Sequence, residues 1–175
     1  MMFPGRPLPA VKWLLITIFG GACLQIIFFY AGSPLYERVF QLSVEGVRQG
    51  WIWQFATYMF LHGGLLHLAF NMLALWMFGS ELESLWGTRR FTRFFFVTGV
   101  GAAVTSTLVT PSSPIPIIGA SGAVYGLLAA YGILFPDRVI LLYFVLPIRA
   151  KYLVLILGLI TFWSSISETG GGVAH

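Results

Sequence analysis

The sequence predicts an all-α fold, a polytopic bundle of transmembrane helices. Three observations carry that expectation. Hydrophobic residues make up 58% of the 175-residue chain and charged residues only 9%, whereas a soluble globular domain is about one-quarter charged. Mean hydropathy is +0.86. The apolar residues also gather into uncharged runs, several near the roughly 20 residues that cross a hydrocarbon core. The net charge of +4 is dispersed and offers no basic patch for nucleic acid. Cys23 is the single cysteine and lies inside an apolar run, which excludes an internal disulfide and a thiolate metal site. No linker-like stretch divides the chain, so residues 1–175 read as one membrane domain.

The first apolar segment covers about residues 11–31. It stands where a signal peptide would, but it is too long for an h-region and further spans follow, so it reads as an anchor. The second covers residues 65–78, with a continuation to 86 left open. The third covers 94–109, the fourth 119–135 and the fifth 152–166. The last four are somewhat short, which implies a thin local bilayer or helix ends sunk below the surface. Residues 139–148 are apolar too, but ten residues ending at Pro147 cannot span, and they read as a buried loop. Between the first two segments, Tyr36, Val39, Phe40 and Leu42 mix with Glu37, Arg38, Glu45 and Arg48. That mixture fits an amphipathic interfacial segment, with Trp51 and Trp53 at headgroup depth. An ordinary outer loop is the plainer alternative.

Charge asymmetry orients the bundle. With the N-terminus inside, the cytoplasmic parts hold Arg6, Lys12, Arg89, Arg90, Arg93, Arg138, Arg149 and Lys151, eight of the ten basic residues. The positive-inside rule therefore places the N-terminus in the cytoplasm. The second and fourth segments then enter from outside and the fifth exits there. Every histidine of the chain, His62, His67 and His175, shares the outer half of the membrane with Ser121.

Ser121 stands in Gly119-Ala120-Ser121-Gly122-Ala123-Val124-Tyr125-Gly126, at the start of seventeen uncharged residues. Flanking glycines allow close backbone approach. Taken alone, such a serine is packing glue between helices. Its company suggests more. In His62-x4-His67-x3-Asn71 the last two residues are four apart and share one helix face. Ionisable and amide groups in a span usually face the bundle interior or a water-filled cavity; interhelical hydrogen bonding is the alternative use. Zinc is a poorer fit, because there is no carboxylate at that depth and no His-Glu-x-x-His spacing. Serine catalysis needs a base, an oxyanion hole and water. A histidine with an unperturbed pKa of about 6.5 is a base at neutral pH. Asn71 and the free N–H groups at the start of the Ser121 helix can donate to a developing oxyanion. With no carboxylate nearby, the arrangement would be a Ser–His dyad.

These motifs resemble the rhomboid family of intramembrane serine proteases over almost the whole chain. The matching elements are Gly-Ala-Ser-Gly at 119–122, the His62, His67, Asn71 cluster, Trp53, the Gly79-x3-Glu83-x3-Gly87 stretch and Ala174-His175. The resemblance implies that Ser121 is the nucleophile and His175 the general base. It implies that His67, Asn71 and the Ser121 N–H stabilise the oxyanion, and that Tyr125 packs against the catalytic histidine. Gly119 and Gly122 permit close helix contact. Gly122-x3-Gly126 forms a small-residue face, which in the family meets a sixth helix. No cofactor or metal is implied. The partners implied are membrane-protein substrates and the bilayer itself.

Two departures from the family pattern stand out. Trp53 is followed by Gln54 where the family commonly has arginine, so a charge-based contact to backbone or lipid is expected to be lost. The sequence also ends at His175, so the expected fold is a rhomboid-like bundle with five spans present and the sixth missing. The 175-residue form is then expected to be inactive or nearly so, because a catalytic base needs positioning to within about 0.5 Å. A rhomboid-like protein that binds membrane clients without cutting them is the alternative function. Retention of Ser121, His67, Asn71 and His175 argues for an enzyme. A small transporter or channel is disfavoured by the absence of charges lining the spans and of an inverted repeat. The compact length and the lack of a transit peptide point to a prokaryotic inner membrane.

Overall fold

The computed structural model describes residues 8–142 and 146–159. They fall into two compact units, one reaching Leu127 and the other starting at Leu128. Helix α1 spans Pro9–Tyr30. Pro9 suits the first turn, where a missing N–H costs no hydrogen bond. Val11, Leu14, Ile18 and Ala22 form its buried stripe, while Trp13, Phe19, Ile27 and Phe29 face outward, as an apolar helix in lipid does. The segment after α1 folds as two short helices, α2 (Leu35–Phe40) and α3 (Val44–Arg48). Ser43 caps α3 by accepting the Gly46 N–H at 3.0 Å. Helix α4, Gln54–Thr57, runs into a tight turn at Tyr58–Phe60.

The second span is one continuous run, Leu65–Trp86. It consists of α5 (Leu65–Ala74), a wide π-type turn at Leu75–Gly79, and α6 (Ser80–Trp86). The longer of the two expected boundaries is the right one. Helix α7 covers Thr88–Val109, starting six residues before the expected third span because Arg89, Arg90 and Arg93 lie inside its first turns. Several of its hydroxyls are satisfied internally: Thr98, Thr105 and Thr107 donate to Phe94, Gly101 and Ala103 carbonyls, each at 2.9 Å. Such back-bonding suits a helix in lipid, where no water is available. Among the described residues, α1, the Leu65–Trp86 run and α7 are long and apolar enough to cross a membrane.

The Gly79-x3-Glu83-x3-Gly87 stretch has a physical explanation. Gly79 lets α1 approach: a Cβ there would sit 3.2 Å from Val11 Cγ2 and 3.1 Å from Phe91 Cζ. One turn on, buried Glu83 accepts the Ala10 and Val11 N–H groups at 3.0 and 2.9 Å and the Thr88 hydroxyl at 2.7 Å. A carboxylate there satisfies two free donors and meets the positive end of α1. Gly87, at φ +78°, ends α6 and opens α7, a backbone conformation that favours glycine.

Helix α8 is Ser121–Leu134, fourteen residues. Beyond it, the expected buried loop is instead an antiparallel hairpin, β1 (Val139–Leu142) with β2 (Leu146–Arg149). Pro147 is tolerated because both strands are edges. Lys151 and Arg149 meet Asp137 at 2.7 and 3.4 Å at the hairpin's base, holding that carboxyl below its usual range. Helix α9 follows at Ala150–Leu159, with Val154 packed on Gly132. The expected fifth span beyond residue 159 lies outside the described residues.

Candidate active site

Ser121 is the first residue of α8 and is half-buried. Three contacts set its position. The Gly119 N–H donates to the Tyr58 carbonyl at 2.9 Å, tying the turn ahead of Ser121 to the end of α4. The Tyr58 hydroxyl in turn donates to the Gly99 carbonyl of α7 at 2.8 Å. Leu42 and Ile117 exchange backbone hydrogen bonds at 3.1 and 2.8 Å, joining the segment that follows α2 to the same turn.

Gly119 adopts φ +112° and is buried. A Cβ added there would stand 2.5 Å from His67 Cε1 and 2.8 Å from Nε2. The imidazole of His67 thus lies directly against the backbone two residues ahead of Ser121. Two glycine properties are needed together at this one position: a left-handed backbone and no side chain. Val124 finds an intrahelical acceptor in the Ala120 carbonyl at 3.0 Å. The N–H groups of Ser121, Gly122 and Ala123 come before that first ladder bond, as at any helix start.

His67 and Asn71 share a face of α5, as their spacing predicts. Asn71 is buried, and its Nδ2 donates to the His67 carbonyl at 2.9 Å, which uses one of two amide donors. His62 packs its ring on His67, with centroids 5.2 Å apart. His62 is 6% exposed, and neither ring nitrogen makes a well-formed hydrogen bond among the described residues, only a weaker interaction with the Phe60 backbone. Burial, with a smaller contribution from His67, lowers its pKa to about 4. Tyr125, one turn after Ser121, is exposed. His175 lies outside the described residues.

Two motif positions show their packing partners. The Gly122-x3-Gly126 face packs on α7, and the expected contact with a sixth helix lies outside the described residues. A Cβ on Gly122 would meet Ala102 Cβ at 2.6 Å, and one on Gly126 would meet Thr98 Cβ at 2.6 Å. The two helices run antiparallel, so residues four apart on each meet in register. Gln54 makes backbone contacts of its own. It is fully buried; its Nε2 donates to the Arg38 and Val39 carbonyls at 3.1 and 3.3 Å, and its Oε1 accepts the Ser43 N–H at 3.1 Å. These are the contacts of a neutral amide, at a position where the family commonly has a charge. Trp53 joins it, donating from Nε1 to the Val39 carbonyl at 2.9 Å. Tyr58 escaped the sequence reading altogether, because an aromatic within an apolar run carries no mark of the two backbones it will bridge.

The rhomboid domain family matches residues 49–175. The chain belongs to the rhomboid family. Among similar proteins, the rhomboid protease GluP of Bacillus subtilis is 37% identical over 115 residues, 61% of this chain and 22% of GluP. RHOMBOID-like protein 5 of Arabidopsis thaliana is 34% identical over 97 residues, 55% of this chain and 31% of the relative. Human rhomboid-related protein 3 is 29% identical over 130 residues, 68% and 31% of the two chains. This rhomboid therefore spans under a third of the length of each of these relatives. Family membership and the apolar helices make it an integral membrane protein.

Proposed function

We propose that this rhomboid is a serine endopeptidase that cleaves the transmembrane or juxtamembrane segment of other membrane proteins. The observation that supports this most is the approach of His67 to Gly119, two residues ahead of Ser121 at the start of α8. Ser121 Oγ attacks the scissile carbonyl as His175 takes its proton. The oxyanion accepts hydrogen bonds from His67, Asn71 and the Ser121 N–H. His175 returns the proton to the leaving amine, and water then releases the acyl group by the same route. Tyr125 supports His175. Gly119, Gly122 and Gly126 hold α8 close to its neighbours, and His62 backs His67. The reaction uses no metal or cofactor.

A lipid-embedded helix already pairs its backbone amides, so a substrate must unwind locally before attack. Small or helix-weakening residues near the outer end of a substrate span favour cleavage on this account. We assign residues 1–175 to one rhomboid domain in a prokaryotic inner membrane, with the N-terminus cytoplasmic and the site toward the outer face. The test is cleavage of a single-span reporter by the reconstituted protein as its gene encodes it. Cleavage that disappears in Ser121→Ala is the expected result. A wild-type protein that binds the reporter and leaves it intact would instead make this a non-cleaving rhomboid.

A further inference from the structure

A second polar cluster borders His62 on the side of α1 and α2, and Ser121 chemistry has no use for it. The Gln25 side-chain carbonyl accepts the His62 backbone N–H at 2.9 Å, and Gln25 Nε2 donates to Glu37 Oε1 at 3.0 Å. Beside this chain of contacts lies a cavity of about 350 Å³. Its apolar walls include Ile26 and Phe29 of α1 with Leu65 and Leu68 of α5; its polar border is Gln25, Glu37 and His62. Phe29 and Leu65 are 70% and 80% exposed. On membrane-spanning helices those surfaces face lipid, so the cavity opens to the bilayer. It sits at the last turns of α1 and the first turn of α5, where hydrocarbon gives way to headgroups.

The chemistry of the border selects an occupant. Burial keeps His62 neutral at pH 7, so one ring nitrogen is an acceptor and the other a donor. Among the described residues neither makes a well-formed hydrogen bond, only a weaker interaction with the Phe60 backbone, although His62 is more than nine-tenths buried. A buried polar group without a partner is costly. Glu37 forms no ion pair among the described residues, and Gln25 engages only one of its oxygens. The border thus offers a negative charge beside an open imidazole acceptor. A primary ammonium matches both, since it is compact, cationic and carries three N–H donors. A choline headgroup has the charge but no N–H; a glycerol headgroup lacks the charge.

We infer that this cavity binds a phospholipid with a primary-amine headgroup, its ammonium on Glu37 and His62 and its acyl chain along Ile26, Phe29 and Leu65. The test is lipid retention. The protein is extracted from bilayers of equal phosphatidylethanolamine, phosphatidylcholine and phosphatidylglycerol, and the lipids that survive purification are weighed by native mass spectrometry. Phosphatidylethanolamine is expected to exceed phosphatidylcholine roughly fivefold, an effect of about 1 kcal/mol. Glu37→Gln at the partly exposed carboxylate, and separately Leu65→Trp at the mouth, should each abolish the preference with an unchanged thermal midpoint. Equal retention of the three lipids, enrichment of phosphatidylglycerol, or a preference that survives both substitutions would overturn the assignment. A cavity filled by water alone gives the first of these results.

Discussion

The two ends of α1 treat buried polar groups in opposite ways. At its N-terminus, Glu83 engages both carboxylate oxygens with two backbone N–H groups and a hydroxyl. About 20 Å along the helix, by its 1.5 Å rise per residue, Gln25 meets the His62 loop, where a buried imidazole makes no well-formed hydrogen bond among the described residues. Beyond that imidazole come His67, the glycine turn and Ser121. At the first end the carboxylate is engaged and serves as a clamp, and the buried Ser80 hydroxyl one turn away is the group there without a partner among the described residues. The unsaturated end keeps donors and acceptors in reserve, which costs stability and leaves them free for ligands or reacting groups. Both ends use glycine for close approach, Gly79 to seat α1 and Gly119 to seat an imidazole.

Substitutions at the two ends should therefore separate into stability effects and activity effects. The largest effect belongs to Ser121→Ala, which should lower cleavage by at least about a thousandfold and leave the thermal midpoint unmoved. Glu83→Ala should do the reverse. It strands two N–H groups at the start of α1 and should cost about 3 kcal/mol in a denaturant titration in detergent. A loss below about 0.5 kcal/mol would break the contrast. Next comes acid sensitivity at His62. Its folded pKa is about 4 against an ordinary 6.5, so the unfolded state binds the proton first as pH falls. Stability should be full above about pH 6.5, decline toward pH 4 with a slope approaching about 1.4 kcal/mol per unit, and level off below. His62→Gln should flatten that decline.

Gly119→Ala should cost about 1–2 kcal/mol, since it places a side chain at φ +112° and drives a methyl into the His67 ring. Cleavage should fall by more than the stability loss explains, because His67 must move. Gly101→Ala in α7 is the control: among the described residues nothing lies within 4 Å of its added Cβ, and the change should be neutral or stabilising by helix propensity. The smallest loss is expected of Tyr58→Phe, which removes one buried hydrogen bond to Gly99 and should cost about 1 kcal/mol.

Much of this arrangement was legible in the sequence, for identifiable reasons. Uncharged runs announce helices in lipid, and the i, i+4 spacing of His67 and Asn71 predicts their common face. Glycines around Ser121 announced a close approach, though not that His67 would be what approaches. Hydropathy misplaced the start of α7 because its first turns hold three arginines, and Gly87 was the better marker. The 139–149 hairpin stayed hidden because an apolar run ending in proline has neither strand alternation nor a turn signature. The partner of Gly122 and Gly126 could not be read from one helix alone, since a small-residue face does not say which neighbour it fits. Gln54 and Tyr58 were obscure for the same reason: their backbone acceptors are distant in sequence.

The claim that Ser121 is an activated nucleophile has a direct test in a fluorophosphonate probe. The probe is applied to the protein as its gene encodes it, in bilayers, and the modified residue is mapped by mass spectrometry. The account predicts one adduct, on Ser121, that vanishes in Ser121→Ala and weakens in Gly119→Ala. A wild-type protein that stays unlabelled, or an adduct that persists after Ser121→Ala, would contradict it.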